Sequence, residues 1–318
     1  MTKHGQVNTV TGPVAGDRLG LTLPHEHLIC DFTREYRGEG IFHDFPTMAA
    51  ELEEAAQTGV RTVVDLTNES LGRSPGALRD LSERTGVNIV VGSSFYRHQY
   101  ASESLHLMPT ADLADLIVHE FTEGIGDTGV QPGVIGEIGS DQHIRPVEER
   151  IFRASARAQA RTGAAVNVHA ARWPVAHGQL DLLQEEGCDL SRVVVSHCDT
   201  VGSVEWRDAS DVLKYHVSLA ERGAYVEFDT LRTASRLPER EMDRRIRYIR
   251  NLIDEGFIAH ILLSHDIFFT SHLRSNGGGG LTVVTTYFAD RMRESGITQR
   301  QIDQLLVDNP RRMLTGVA

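Results

Sequence analysis

The chain has 318 residues, 40% apolar and 24% charged, the make-up of a globular protein able to bury a sizeable core. A net charge of −12 argues against nucleic acid or an anionic membrane as the main partner, and Cys30, Cys188 and Cys198 are too few for a disulfide framework. No N-terminal apolar segment reads as a signal peptide and no apolar run has the length of a membrane span, so a cytoplasmic protein is expected.

Along the chain, Gln6–Gly20 reads as a small hairpin. After it one pattern repeats: a short apolar, β-branched run, turn residues, then a segment of helical spacing. The expected strands are Gly20–Ile29, Val60–Thr67, Asn88–Phe95, Gly133–Ser140, Ala164–Ala170, Arg192–Cys198, Ala224–Thr230 and His260–Asp266. Between them Met48–Thr58, Pro146–Thr162, Glu205–Arg222 and Pro238–Glu255 have helical spacing. Gly59, Gly86, Gly163, Gly223 and Gly256 stand where helices end before the next strand. Leu281–Glu294, Thr298–Val307 and Asn309–Leu314 read as C-terminal helices. Eight strand–helix units without a composition break predict an α/β fold, a (β/α)8 TIM barrel in one domain over 1–318, with the hairpin in 1–19, the barrel strands in 20–270 and the C-terminal loop and helices in 271–318. A doubly wound open sheet is the alternative, but no Gly-rich dinucleotide fingerprint follows the first strand.

In such a barrel, catalytic groups sit at the C-terminal ends of strands. His25 and His27 share one face of the first strand, with Glu26 turned away. Glu137 ends the fourth strand, His169 the fifth, His197 the sixth and Asp266 the eighth. Singly, His169 or His197 reads as an ordinary core or rim histidine. Four histidines and two carboxylates converging on one mouth, however, would be costly without cations. The set suits two divalent metals, one held by His25, His27 and Asp266, the other by His169 and His197, with Glu137 bridging and a shared hydroxide as nucleophile.

The pieces Thr22-Leu23-Pro24-His25-Glu26-His27, Val64-Asp65-Leu66-Thr67, Gly136-Glu137-Ile138-Gly139, His169, Ser196-His197, Phe228-Asp229-Thr230, Ser264-His265-Asp266 and Asn309-Pro310 extend along nearly the whole chain. In them the sequence resembles the phosphotriesterase family of the amidohydrolase superfamily. The resemblance implies a barrel with a binuclear centre, usually Zn2+, and family habit suggests a homodimer. Two departures stand out. Organophosphate-hydrolysing members carry a carboxylated lysine on the fourth strand, whereas here Glu137 stands there and the only lysines, Lys3 and Lys214, lie away from strand ends. Members with glutamate at this place are mostly lactonases, carboxylesterases or poorly characterised relatives. Thr230 replaces the histidine that follows the seventh-strand aspartate in phosphotriesterases proper.

The function expected is hydrolysis of a carboxylic ester or lactone, of an anionic or phosphorylated small molecule, with Asp266 as the catalytic proton acceptor. Amide hydrolysis of N-acyl amino acids or amines, promiscuous phosphotriester cleavage, and a catalytically silent binding protein on the same barrel are the alternatives. Arg73, Arg97, Arg172, Arg232 and Arg274 follow strands, each a candidate anion contact or a solvated charge. Of these Arg232 and Arg274, with Tyr96, are expected to contact substrate. Asp65 reads either as an acceptor orienting a ligand histidine or as structural, His265 as structural, and Gly277–Gly280 as a lid hinge or a flexible loop.

Overall fold

The computed structural model describes residues 5–201, 209–232 and 239–317. Eight parallel strands run in chain order around a nearly closed barrel: Leu21–Glu26, Val60–Asp65, Asn88–Ser93, Val134–Gly139, Ala165–His169, Val193–Ser196, Tyr225–Phe228 and Ile261–Leu263. All eight fall inside the expected runs, two to four residues shorter. The strand order never reverses, so the open doubly wound sheet is excluded. The expected segments Glu205–Arg222 and Pro238–Glu255 begin outside the described residues; their described parts are the helices Ala209–Glu221 and Glu239–Asp254. Among the described residues no helix is long and apolar enough to cross a membrane.

Helix Pro146–Thr162 shows why these segments fold as they do. Its Pro146 needs no N–H partner in the first turn, and Glu148 accepts from the Arg145 N–H at 2.8 Å. Val147, Ile151, Phe152, Ala154 and Ala158 form the buried face. The helix ends at Gly163, whose φ of 72° is the left-handed turn that its position predicts.

Inside the barrel, period-two alternation sorts the side chains. Val64, Leu66, Val90, Val134, Ala165, Val194, Tyr225 and Leu262 point inward and form one apolar cluster. That cluster is plugged from below by Val7 and Leu19 of the N-terminal segment and by Met313 and Leu314 of the last helix. The N-terminal hairpin, Gln6–Thr9 against Gly12–Ala15, is tied to the barrel floor by Asn8 Nδ2 to Pro132 O at 3.1 Å and Val10 N to Ile89 O at 2.8 Å. Two residues further along the last four strands the inward positions turn polar: Asn167, Ser196, Glu227 and Ser264. The apolar floor thus leaves the C-terminal mouth as the place where polar groups gather.

The expected C-terminal helices form, but with wide π-type turns at Val284–Phe288 and Gln304–Asp308. The Gly277–Gly280 run is a packed turn. Gly277 N donates to Arg274 O at 2.9 Å, Gly278 N to Leu273 O at 2.8 Å, and a Cβ on Gly278 would collide with the His272 carbonyl.

One buried histidine makes folding sensitive to acid. His216, on helix Ala209–Glu221, has no exposed surface, and its ring meets Phe228 and Tyr248 edge-on at 5.3 and 5.2 Å. Its Nε2–H donates to Cys198 O at 2.9 Å, while Nδ1 has no partner among the described residues, so the ring is neutral. Burial pushes its pKa down to about 4. The unfolded chain therefore binds more protons between about pH 6.5 and 4, and stability drains away as pH falls through that window. Replacing His216 with Phe should flatten this acid limb by on the order of 3 kcal/mol in urea melts at pH 7 and pH 4. An unchanged limb would show that other groups carry the acid sensitivity.

Candidate metal centre

The mouth gathers its ligand candidates by three local devices. On the fifth strand simple alternation suffices: Ala165, Asn167 and His169 face inward. On the fourth strand the register slips between Ile135 and Ile138, both of which pack outward, so Gly136 and Glu137 share the inward position and Glu137 is re-aimed into the barrel. Ser196 faces inward on the sixth strand, so plain alternation would turn His197 outward. A left-handed φ of 61° brings it back over the mouth. Gly139 leaves room for all this, since a Cβ there would lie 2.5 Å from His169 Cβ.

The six expected ligands come together. Glu137 Oε1 lies 3.0 Å from His169 Nδ1, 2.9 Å from His197 Nε2 and 3.7 Å from His25 Nε2. Asp266 Oδ1 lies 3.4 Å from His27 Nε2 and 3.7 Å from His25 Nε2. Among the described residues three groups have ligand atoms clustered closely enough to hold one ion each, and all share His25: His25–His27–Asp266 and His25–Glu137–His197 face the mouth, while His25–Glu227–Asp229 lies behind them on the Nδ1 side. The buried Nε2 of His25 has no hydrogen-bond partner among the described residues, an orphaned lone pair aimed between the two carboxylates. Imidazole nitrogens with carboxylate oxygens are the donor set of zinc and its neighbours, so the residues fit divalent metal. The first group is the one expected from the strand ends. In the second, His25 stands beside His197 where His169 was expected, and His169 touches the set through Glu137 and through His197 at 2.9 Å.

Behind these atoms lies a layer that the strand-end reading missed. Asp229 accepts from His197 Nδ1 at 2.9 Å and from the His197 backbone N–H at 3.1 Å, and its other oxygen lies 3.0 Å from His25 Nδ1. Glu227, two residues earlier on the same inward face, places Oε2 3.2 Å from His25 Nδ1 and 2.8 Å from Ser196 Oγ. These acceptors hold the Nδ1 sides of His25 and His197 and leave Nε2 facing the centre. Asp229 stood in the Phe228-Asp229-Thr230 piece without a role assigned to it, and for Glu227 the only signal was its period-two spacing from Asp229 at the end of the seventh strand. Asp65 binds the backbone N–H groups of Leu28 and Thr67, and it is Thr67 Oγ1 that meets His27 Nδ1, at 3.0 Å. Asp65 is therefore structural. So is His265, whose Nδ1–H donates to Glu26 at 2.7 Å.

The electrostatics follow from this crowding. Burial works against the Glu137 carboxylate, but the His169 and His25 imidazoles hold its pKa well below the usual range. Burial likewise opposes charge on His197, yet Asp229 outweighs it and raises that imidazole to about 10. His169 is pushed down to about 4, chiefly by burial. Burial opposes charge on Asp266 too, and Arg232 beside it keeps its pKa low.

Above the centre opens a cavity of about 460 Å³, walled by Phe32, Tyr36, Tyr96, Trp173, Phe268 and Phe269. Tyr96 lines it as expected, with its hydroxyl 3.0 Å from His169 Nδ1. Arg232 lines it too, bonded to Asp266 Oδ2 at 2.9 Å and lying over the Phe268 ring. Arg274 does not: its guanidinium pairs with Glu54 and its N–H donates to Glu51, so helix Phe45–Gln57 draws it outside the mouth, away from the expected substrate contact. Arg73 is likewise spent on Glu120 and the Gly92 carbonyl. Thr230 bonds to Asp199, which Arg245 also grips at 2.9 Å, anchoring helix Glu239–Asp254 to the seventh strand.

Three comparisons with known proteins agree with this architecture. The sequence profile of the phosphotriesterase family matches residues 5–314. A resiniferatoxin-binding protein from Rhodobacter sphaeroides superposes with a TM-score of 0.90 at 33% identity, covering 98% of this chain and 95% of that one. A lactonase from Listeria monocytogenes superposes with a TM-score of 0.86 at 25% identity, covering 98% and 100%. The N-acetyltaurine hydrolase of Salmo salar is 30% identical over 98% of both chains.

If Asp229 orients two ligand histidines, Asp229→Ala should weaken metal retention about 10–100-fold while the barrel stays folded. Metal content after dialysis against a graded chelator, with circular dichroism as the control for folding, measures this. Wild-type retention in the variant would show that the imidazoles hold their orientation without it.

Proposed function

The chain belongs to the phosphotriesterase family, and on that premise we propose that it is a metal-dependent hydrolase cleaving a carboxylic ester, lactone or N-acyl amide of a small molecule. The observation that carries this reading is the set of buried ligand groups sharing His25, two of which, His25–His27–Asp266 and His25–Glu137–His197, lie on the floor of an aromatic-walled cavity. His25, His27, Glu137, His169, His197 and Asp266 would hold two divalent ions, zinc being the expected metal. Such ions polarise a carbonyl oxygen and lower the pKa of water.

The chain's own residues supply the rest. Asp266 is the proton acceptor: Arg232 occupies Oδ2 and favours the ionised form, while Oδ1 faces the histidines. The Tyr96 hydroxyl, its pKa raised well above the ordinary value by burial, keeps its proton. It stands beside His169 as a hydrogen-bond donor to an oxygen held above the centre. Phe32, Tyr36, Phe268 and Phe269 pack in tilted and edge-on pairs at 4.3–5.4 Å between centroids and shield this space from water. Thr230 is engaged with Asp199 and offers no imidazole for proton transfer, which places phosphotriester cleavage third.

Between ester and amide, two relatives point in different directions, one named a lactonase and the other an N-acetyltaurine hydrolase. The second is the more similar in sequence and favours testing N-acyl amides alongside lactones. Purified protein should hold about two divalent ions per chain, and stripping them with chelator should abolish hydrolysis, with recovery on zinc addition. Asp266→Asn should slow turnover by roughly 10²–10⁴ on the best substrate from a panel of lactones, esters and N-acyl amides. Metal-loaded protein that binds panel members yet hydrolyses none would mark a silent binding protein.

A further inference from the structure

The charges at the mouth are unevenly paired. Four carboxylates line the cavity, and each already has partners: Glu35 and Asp141 are held by Arg97, Asp266 by Arg232, and Glu137 by histidines. Four arginines line it as well, and two of these, Arg97 and Arg232, are the ones so engaged. The guanidinium groups of the other two, Arg172 and Arg145, have no carboxylate partner among the described residues. Both side chains are exposed at the cavity rim, and positive charge there with no acid to meet it is complementary to an anion.

The backbone of Arg172 is also held in place. It follows His169 by three residues on the loop leaving the fifth strand. Its φ of 68° lies in the left-handed region that a residue with a side chain seldom adopts. The turn is fixed on both sides, with Arg172 N donating to Thr200 Oγ1 at 2.8 Å and Trp173 N to Ala171 O at 2.8 Å. Backbone strain stored at a cavity rim fits a side chain placed for contact. Its charge acts within the cavity: the Tyr36 hydroxyl, pushed up to about 12 by burial and by Glu35, is drawn partly back by Arg97 and Arg172.

We propose that Arg172, assisted by Arg145, forms an anion subsite at the rim, so that the preferred substrate carries a sulfonate or carboxylate separate from the acyl group that sits over the ligand cluster. Guanidinium suits either head group, because its fork donates two parallel hydrogen bonds to two oxygens. The selectivity arises in binding, before any bond is cut. Arg172 is thus a specificity-determining residue, and the expected Arg274 has no part in it.

The inference rests on the hydrolase reading for the fate of the acyl group, but its test needs no turnover. Calorimetric titration of zinc-loaded protein would compare an N-acyl aminosulfonate with its neutral methyl-sulfone isostere, and an N-acyl amino acid with its primary amide. Wild type should bind at least one anion tenfold or more tighter than its neutral partner. In Arg172→Ala that ratio should fall tenfold or more, in Arg172→Lys it should be partly kept, and in Arg145→Ala it should fall less. Whichever pair shows the larger ratio identifies sulfonate or carboxylate as the preferred head group. No preference in the wild type, or a preference that survives in Arg172→Ala because the anion sits on the zinc, overturns the proposal. Preference without hydrolysis defeats the hydrolase reading alone, and hydrolysis without preference defeats the subsite alone.

Discussion

The carboxylate of Glu26 closes this barrel. Between the first and eighth strands no regular ladder forms, and the seam depends instead on a fully buried side chain that accepts four hydrogen bonds. Ser264 Oγ, His265 N, His265 Nδ1 and Ile267 N all donate to it, at 2.7–3.1 Å. A buried carboxylate is tolerated only when its oxygens are so satisfied. The consequence reaches the centre directly. With the Ser264–Ile267 segment pinned, Asp266 N donates to His25 O and the Asp266 carboxylate comes to lie beside His27. Val284 N then donates to His265 Nε2, so the C-terminal region locks onto the same seam.

The seam works because the barrel is divided along its axis. The floor is apolar and plugged from both chain ends, and it contributes the burial that makes the fold cohere. Above it, Asn167, Ser196 and Glu227 form a tier in which Ser196 Oγ lies 2.8 Å from both Asn167 Oδ1 and Glu227 Oε2, its single proton shared between the two acceptors. That tier supports the Nδ1 edges of the imidazoles, and the Nε2 atom of His25 emerges without a partner. Each layer is set by two-residue steps along the same strands, so a register slip would move a charged group out to the helices. Where the centre needs a group that strict alternation would misplace, the chain departs from regular strand, at Glu137 by a slipped register and at His197 by a left-handed residue.

At the rim, ion pairs decide which charges stay available. Arg97 joins the loops after the first, third and fourth strands by gripping Glu35 and Asp141 while lying over Tyr96. Arg245, Asp199 and Thr230 do the same beneath the loops after the sixth and seventh. These arginines are spent on architecture. Arg172 and Arg145, by contrast, have no carboxylate partner among the described residues.

The barrel was legible in the sequence because its determinants are local. Eight β-branched runs, each followed by a segment of helical spacing and a glycine such as Gly86 or Gly163, repeat along the chain, and both glycines adopt the left-handed turn. His25 and His27 announced themselves by spacing alone, and Glu137, His169, His197 and Asp266 by falling where strands end. Other features depend on partners far away in the chain. Nothing near Arg274 shows that Glu54 will claim it, and nothing near Glu26 shows that it will bind a loop some 240 residues later. Glu227 reads as an ordinary strand residue, and Asp229 as part of a motif with no stated role, until the fold sets them behind His25 and His197. The sequence by itself determined the strands, the helices and the residue types that meet at the mouth, since periodicity and strand ends are properties of neighbours. Only the tertiary structure decided which charges are paired and which remain free, because pairing is a matter of distance in space.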